Sequence, residues 1–177
     1  GMAELHGMLP HPIIHRDLKA ANVLLSGTDL SVAVAKVSDF GLSLALEASR
    51  LSLSGGGGAG TLAFKAPEVF AGRYSEKSDM FALAVVCFEV ITRGVPYEGL
   101  SQAEVTGRAA AAFNPQDPRV QRYLARGISI EEQREEWLED YPLEHRRPDL
   151  SLAEANCPES LIALIPHMWA DDAAVRP

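Results

Sequence analysis

The sequence predicts a mainly α-helical fold with a few short β-strands gathered near its start. Three observations point there. Residues 80–91 are apolar on every helical face. Three Ser-x-x-Glu capping boxes, at Ser101/Glu104, Ser129/Glu132 and Ser151/Glu154, mark helix starts in which two side chains satisfy otherwise orphaned backbone donors. The β-rich runs are brief and lie within residues 13–37.

Taken in order, residues 1–14 offer little, because Pro10 and Pro12 break any helix through Leu5 and Leu9. Ile13-Ile14 and Val23-Leu24-Leu25 read as two short strands holding a charged loop between them. Val32 to Val37 is a third β-rich run, ending at Ser38-Asp39-Phe40-Gly41. Residues 47–60 are rich in Ser and Gly, with four glycines in a row at 55–58. Such a composition does not repay its ordering entropy, so a mobile loop is expected. Met80, Leu83, Ala84, Cys87, Phe88 and Ile91 then follow the spacing of one helix face. Phe81, Val85, Val86 and Val90 cover the other sides, and Glu89 is the only charge in the run. A helix of this kind belongs at the centre of a domain, and Gly94 and Pro96 should stop it. A short helix is expected between Pro118 and Gly127. Pro158 opens a last one toward Trp169, which Pro166 should kink or interrupt. There is no internal repeat.

The chain has 177 residues, which suits about one domain, and is 47% hydrophobic. Sixteen Lys and Arg against 24 Asp and Glu leave a net charge of −8. That balance argues against a general nucleic-acid or anionic-membrane binder, which needs a basic face. Eight acidic and three basic residues lie between Glu131 and Asp149, so most of the acidity belongs to one segment. Cys87 and Cys157 are far apart, with no C-x-x-C, which disfavours a disulfide framework or zinc knuckle. No signal peptide is evident, and the longest apolar run, Phe81 to Phe88, falls far short of the ~20 residues of a membrane span. The expectation is a soluble chain in a reducing, cytoplasmic setting.

Three motifs carry chemistry: His15-Arg16-Asp17-Leu18-Lys19-Ala20-Ala21-Asn22, then Asp39-Phe40-Gly41, then Ala66-Pro67-Glu68. Each is weak singly, but the ordered set has no plain structural rival. On these residues the chain resembles the protein kinases, from about Ile13 to Pro177. The resemblance implies the large C-terminal lobe of that fold over residues 1–177, from the catalytic loop to the penultimate helix. An activation loop would occupy about 39–68, and an insertion about 113–145.

The implied reaction is ATP- and Mg²⁺-dependent phosphoryl transfer to a protein hydroxyl, which depends on positioning and charge neutralisation. Asp17 resembles the residue that orients or accepts the acceptor's proton, with Lys19 steadying the transferring phosphoryl charge. Asn22 and Asp39 are hard oxygen ligands suited to Mg²⁺. Arg16 looks like the receptor of an activation-loop phosphate, since a guanidinium binds phosphate in a bidentate way. Thr61 matches the family's substrate-side Thr. Ser43, Ser49, Ser52 and Ser54 are candidate phosphorylation sites, or simply solubilise the loop. Glu68 and Arg176 resemble a structural ion pair, and Asp79 resembles the anchor of the catalytic-loop backbone. Lys19 and the stretch Gly60 to Glu68 look like the serine/threonine and tyrosine-kinase-like groups, which favours Ser/Thr over Tyr acceptors.

Several patterns imitate motifs without their context. Gly55, Gly57 and Gly60 satisfy G-x-G-x-x-G but follow Asp-Phe-Gly within a glycine run. Lys36 imitates the ATP-anchoring lysine on the wrong strand. His11 and His15 are four apart, but Pro12 intervenes and there is no H-E-x-x-H. The chain also departs from the family. Residues 1–14 leave no room for the small lobe, so the glycine loop, the anchoring lysine and its Glu partner are not among these residues. Catalysis is then a property of the full-length protein, and this chain alone is expected to be inactive. The alternative is a truncated kinase-like binding or regulatory module. The insertion reads as a surface extension or as a docking helix for another protein anchored on Trp137.

Overall fold

A single 17-residue helix organises the chain because its sequence has almost no polar side to turn outward. In this computed structural model the described residues are 1–29, 31–40, 44–45, 62–71, 73–100, 105, 147–153 and 157–177. They form α1 (Met2–His6), β1 (Ile13–Ile14), β2 (Val23–Leu25), β3 (Ala35–Val37), β4 (Leu44–Ala45), α2 (Glu76–Thr92) and α3 (Glu159–Met168). Short 3₁₀ turns cover Ala20–Asn22, Pro67–Ala71, Leu150–Leu152 and Ala173–Val175. The fold is mostly helical with few short strands, as the sequence predicts.

The strands make two antiparallel pairs. In the hairpin, Val23 faces Val37, Leu24 faces Lys36 and Leu25 faces Ala35. In the second pair, Ile13 faces Ala45 and Ile14 faces Leu44. The β-rich run from Val32 yields a strand only from Ala35, since residues 31–32 form the turn.

Helix α2 is buried on opposite sides. Phe81, Ala84, Val85, Phe88 and Ile91 meet Ala66, Val69, Ile165, Met168 and Trp169 in one cluster. Ala82 and Val86 cover Leu18 of the charged loop in a second. At its start, the Ser78 hydroxyl accepts the Ser75 N–H at 3.1 Å and donates to Glu68 Oε1 at 3.1 Å.

Four local expectations need correction. Residues 2–6 do form a helix, because Pro10 and Pro12 lie beyond Gly7, where α1 has already ended. The stop after α2 falls at Arg93, in the left-handed conformation at φ 51°, one residue ahead of Gly94. The Thr92 hydroxyl helps close that end, donating to the Phe88 carbonyl at 2.8 Å. Ser151 does not cap a helix. It sits inside a 3₁₀ turn capped by Asp149, whose carboxylate accepts the Ser151 N–H at 2.8 Å and is held below the usual carboxylate range by the Ser151 hydroxyl and N–H. Finally, of the kink or interruption expected at Pro166, the interruption does not occur, and α3 runs on to Met168. Pro166 lies in the last turn, where the missing N–H gives up one bond. The capping boxes at Ser101 and Ser129, the helix between Pro118 and Gly127, and the Ser- and Gly-rich loop lie outside the described residues.

Candidate active site

The loop between β1 and β2 is fastened from below by α2. Asp79, 2% exposed, accepts the backbone N–H of His15 on Oδ2 at 2.8 Å and that of Arg16 on Oδ1 at 3.0 Å. These bonds hold Arg16 in the left-handed region, φ 70°, which a non-glycine residue enters at a cost of about 1–2 kcal/mol. The next residue, Asp17, lines a cavity together with Arg16, Leu18 and Asp79. Leu18 is buried against Ala82 and Val86, and Lys19 returns to the side of Asp17, since extended residues two apart share a face.

His15 ties the loop to the Asp-Phe-Gly segment. Its Nε2 donates to the Ser38 carbonyl at 2.9 Å and its Nδ1 accepts the Asp17 N–H at 3.3 Å, so both bonds call for the Nε2–H tautomer. The ring also lies 5.4 Å from that of Phe40.

The side chains converge on Asp17. Lys19 Nζ donates to Asp17 Oδ2 at 2.6 Å, with the two side chains 27% and 15% exposed. Asn22 Nδ2 donates to the Asp17 carbonyl at 2.8 Å and lies 3.4 Å from Oδ2. That choice leaves the Asn22 amide oxygen turned away from these bonds. The hairpin register then brings Asn22 beside the Asp-Phe-Gly segment. The Asn22 carbonyl accepts both the N–H and the hydroxyl of Ser38, at 2.8 and 3.1 Å. Asp39 follows immediately, exposed and at φ 63°.

An amide oxygen and a carboxylate near one hairpin end fit Mg²⁺, which takes few protein oxygens and completes its shell with water and phosphate. Among the described residues no group of three or more His, Cys, Asp or Glu is placed to hold a metal ion.

Arg16 points elsewhere. Its guanidinium carbon sits 4.4 Å from the centroid of the Tyr74 ring, beside a cavity also lined by Phe64, Lys65 and Ser78. Its Nε is buried with no hydrogen-bond partner among the described residues. Glu68 and Arg176 form a bidentate pair, with Nη1 to Oε1 at 2.6 Å and Nη2 to Oε2 at 3.0 Å. Arg176 also donates to the carbonyls of Ala170, Lys77 and Asp171, so its buried guanidinium is well served. Thr61, Ser43, Ser49, Ser52, Ser54 and Trp137 lie outside the described residues.

Sequence reading missed Tyr74, whose contact with Arg16 has no local signature. It also missed Arg147, whose guanidinium lies over Phe81 and pairs with Asp171.

A model of the protein kinase domain matches residues 1–177, and the chain belongs to that family. It is 39% identical over 104 residues to mitogen-activated protein kinase kinase kinase 7 of Drosophila melanogaster, covering 58% of this chain and 14% of that protein. It is 42% identical over 99 residues to a probable serine/threonine-protein kinase, roco7, of Dictyostelium discoideum, covering 55% and 4%. A seven transmembrane domain-containing tyrosine-protein kinase of the same organism is 38% identical over 111 residues, covering 62% and 15%. The matched stretch is thus a small part of each relative.

Proposed function

We propose that this chain is the large-lobe part of a protein kinase domain that transfers the γ-phosphoryl group of ATP to Ser or Thr hydroxyls of proteins. The observation that carries this is the Asp17 carboxylate, held at once by Lys19 and Asn22 on a loop pinned to α2. In this reading Asp17 accepts the hydrogen bond of the incoming hydroxyl, aims its oxygen and takes its proton as the new bond to phosphorus forms and the bond to the bridging oxygen breaks, that oxygen leaving with ADP. Lys19 screens the negative charge gathering beside Asp17. The Asn22 amide oxygen and the Asp39 carboxylate would hold Mg²⁺, which supplies charge neutralisation on the phosphates when bound. Arg16 and its cavity would receive an activation-loop phosphate, and Thr61 would face the substrate. The activation loop spans about 39–68 in this reading, and the insertion about 113–145 is a surface extension or a Trp137-anchored docking helix. The two free cysteines suit a reducing, cytoplasmic setting. No helix among the described residues is long and apolar enough to cross a membrane.

Ser/Thr acceptors are favoured by Lys19 and by the serine/threonine-kinase name of one relative, against one named a tyrosine kinase. The test is phosphate transfer by the full-length protein to a Ser/Thr peptide and its Tyr counterpart. Asp17→Asn should lower kcat by about 10²–10⁴-fold with the fold intact. Undiminished transfer in Asp17→Asn would defeat the reading, and preference for the Tyr peptide would defeat the Ser/Thr assignment. The 177-residue chain alone is expected to show no turnover; autophosphorylation that disappears in Asp39→Ala would overturn that.

A further inference from the structure

A short turn brings a cation to the cavity beside Asp17. The Lys65 N–H donates to the Leu62 carbonyl at 3.1 Å, and the neighbouring Ala63 and Ala66 are fully buried. Phe64 packs against all three apolar clusters of the chain's described residues. The backbone is therefore fixed on both sides of Lys65. Its own side chain is half-buried and lines the cavity with Asp17, Arg16 and Tyr74.

The charged residues lining that cavity are Arg16, Asp17, Lys65 and Asp79. Its two carboxylates are compensated. Asp17 is paired with Lys19 at 2.6 Å. Asp79 accepts the N–H groups of His15 and Arg16 and lies 2.9 Å from His6 Nε2. The two cations are not. Arg16 rests on the Tyr74 ring, and the Lys65 side chain has no hydrogen bond or ion pair among the described residues. The local balance is thus positive in a chain of net charge −8. Leu18, Val69 and Ala82 give the cavity apolar walls, which strengthen the field an incoming charge meets.

We propose that Lys65 is a specificity-determining residue, which selects protein acceptors carrying an acidic side chain next to the reacting Ser or Thr. A hydroxyl held at Asp17 brings its flanking side chains to this cavity. A carboxylate there meets Lys65, with Arg16 behind it, whereas a basic side chain meets two like charges. Placing the acceptor at Asp17 rests on the function proposed above. The charge preference is also a property of binding, so it is measured without turnover.

The test uses the full-length protein and three fluorescent peptides with a single Ser flanked on both sides by Glu, Ala or Lys. By anisotropy, the Glu peptide should bind about fivefold or more tightly than the Ala peptide, and the Lys peptide more weakly than either. Lys65→Gln should shrink the gap between Glu and Ala peptides to about twofold or less, and Lys65→Glu should reverse the order of the Glu and Lys peptides. Equal affinity of the parent for all three peptides overturns the proposal. So does an order that survives in Lys65→Glu, or a Lys65→Gln loss shared equally by all three, which would assign Lys65 to the chain's own phosphate. Should neither variant fold, salt decides: a preference that fades toward about 1 M salt supports the proposal, and an unchanged one overturns it. Phosphate transfer, followed on the same peptides, separately tests the kinase reading.

Discussion

Arg16 and Asp39 both occupy the left-handed region, at φ 70° and 63°, and they flank the site from its two sides. Asp tolerates that conformation because its short polar side chain bonds locally, whereas Arg needs help from outside the loop. Asp79 supplies it with two hydrogen bonds from a buried carboxylate. Asp79→Ala strands both N–H groups, each worth about 1–3 kcal/mol when left unsatisfied. Urea unfolding should show a loss of roughly 2–5 kcal/mol; a loss below about 1 kcal/mol would mean that the loop finds other acceptors. At this scale Asp17, Lys19, Asn22 and Asp39 were legible because the family's motifs are contiguous in sequence. Tyr74 was not, since its partner Arg16 is remote along the chain and an aromatic residue there has many uses.

Among elements, α2 carries a single charge beyond its polar first turn, at Glu89. Glu89 has a buried Oε2 with no partner among the described residues, and burial pushes its carboxyl pKa up. A raised pKa means that the folded state binds the proton more tightly than the unfolded chain. The ionised form therefore costs stability at neutral pH, and the cost vanishes as pH falls through the folded and then the unfolded value, about 4.3. Glu89→Gln should melt higher than the parent at pH 7, by about 1 kcal/mol or less because the side chain is partly solvated. The two proteins should converge near pH 4. A gain that persists at pH 4 would show that the charge is not its source. The existence of α2 was plain in the sequence, but its end was not. Arg93 stops the helix in a conformation usually reserved for Gly, and only the surrounding chain decides which residue accepts that strain.

For the whole molecule, the pair Glu68–Arg176 joins the turn before α2 to the segment after α3. Both guanidinium groups near Phe81, those of Arg147 and Arg176, also lie within 5.2 Å of its ring centroid. Breaking the pair on one side leaves a buried charge, so Arg176→Met should cost about 3–5 kcal/mol. The double variant Glu68→Met with Arg176→Met should cost less than Arg176→Met alone, because it leaves no stranded carboxylate. A double variant as damaging as the sum of the two singles would show no coupling. Phe81→Ala removes a side chain of the central cluster and should cost about 3–5 kcal/mol, read from the urea midpoint at constant slope.

Periodicity and motif order were enough to place the buried helix, the two hairpin strands beside the loop and the family of the chain. Each of these depends on residues close together in sequence, where spacing translates directly into a face or a turn. Folding was needed to decide that His6 and Asp79 share a hydrogen bond, that Arg16 lies on Tyr74, and that Ser151 serves a 3₁₀ turn. Those outcomes depend on which segments pack against one another, and burial chooses among local conformations that differ by only a few kcal/mol.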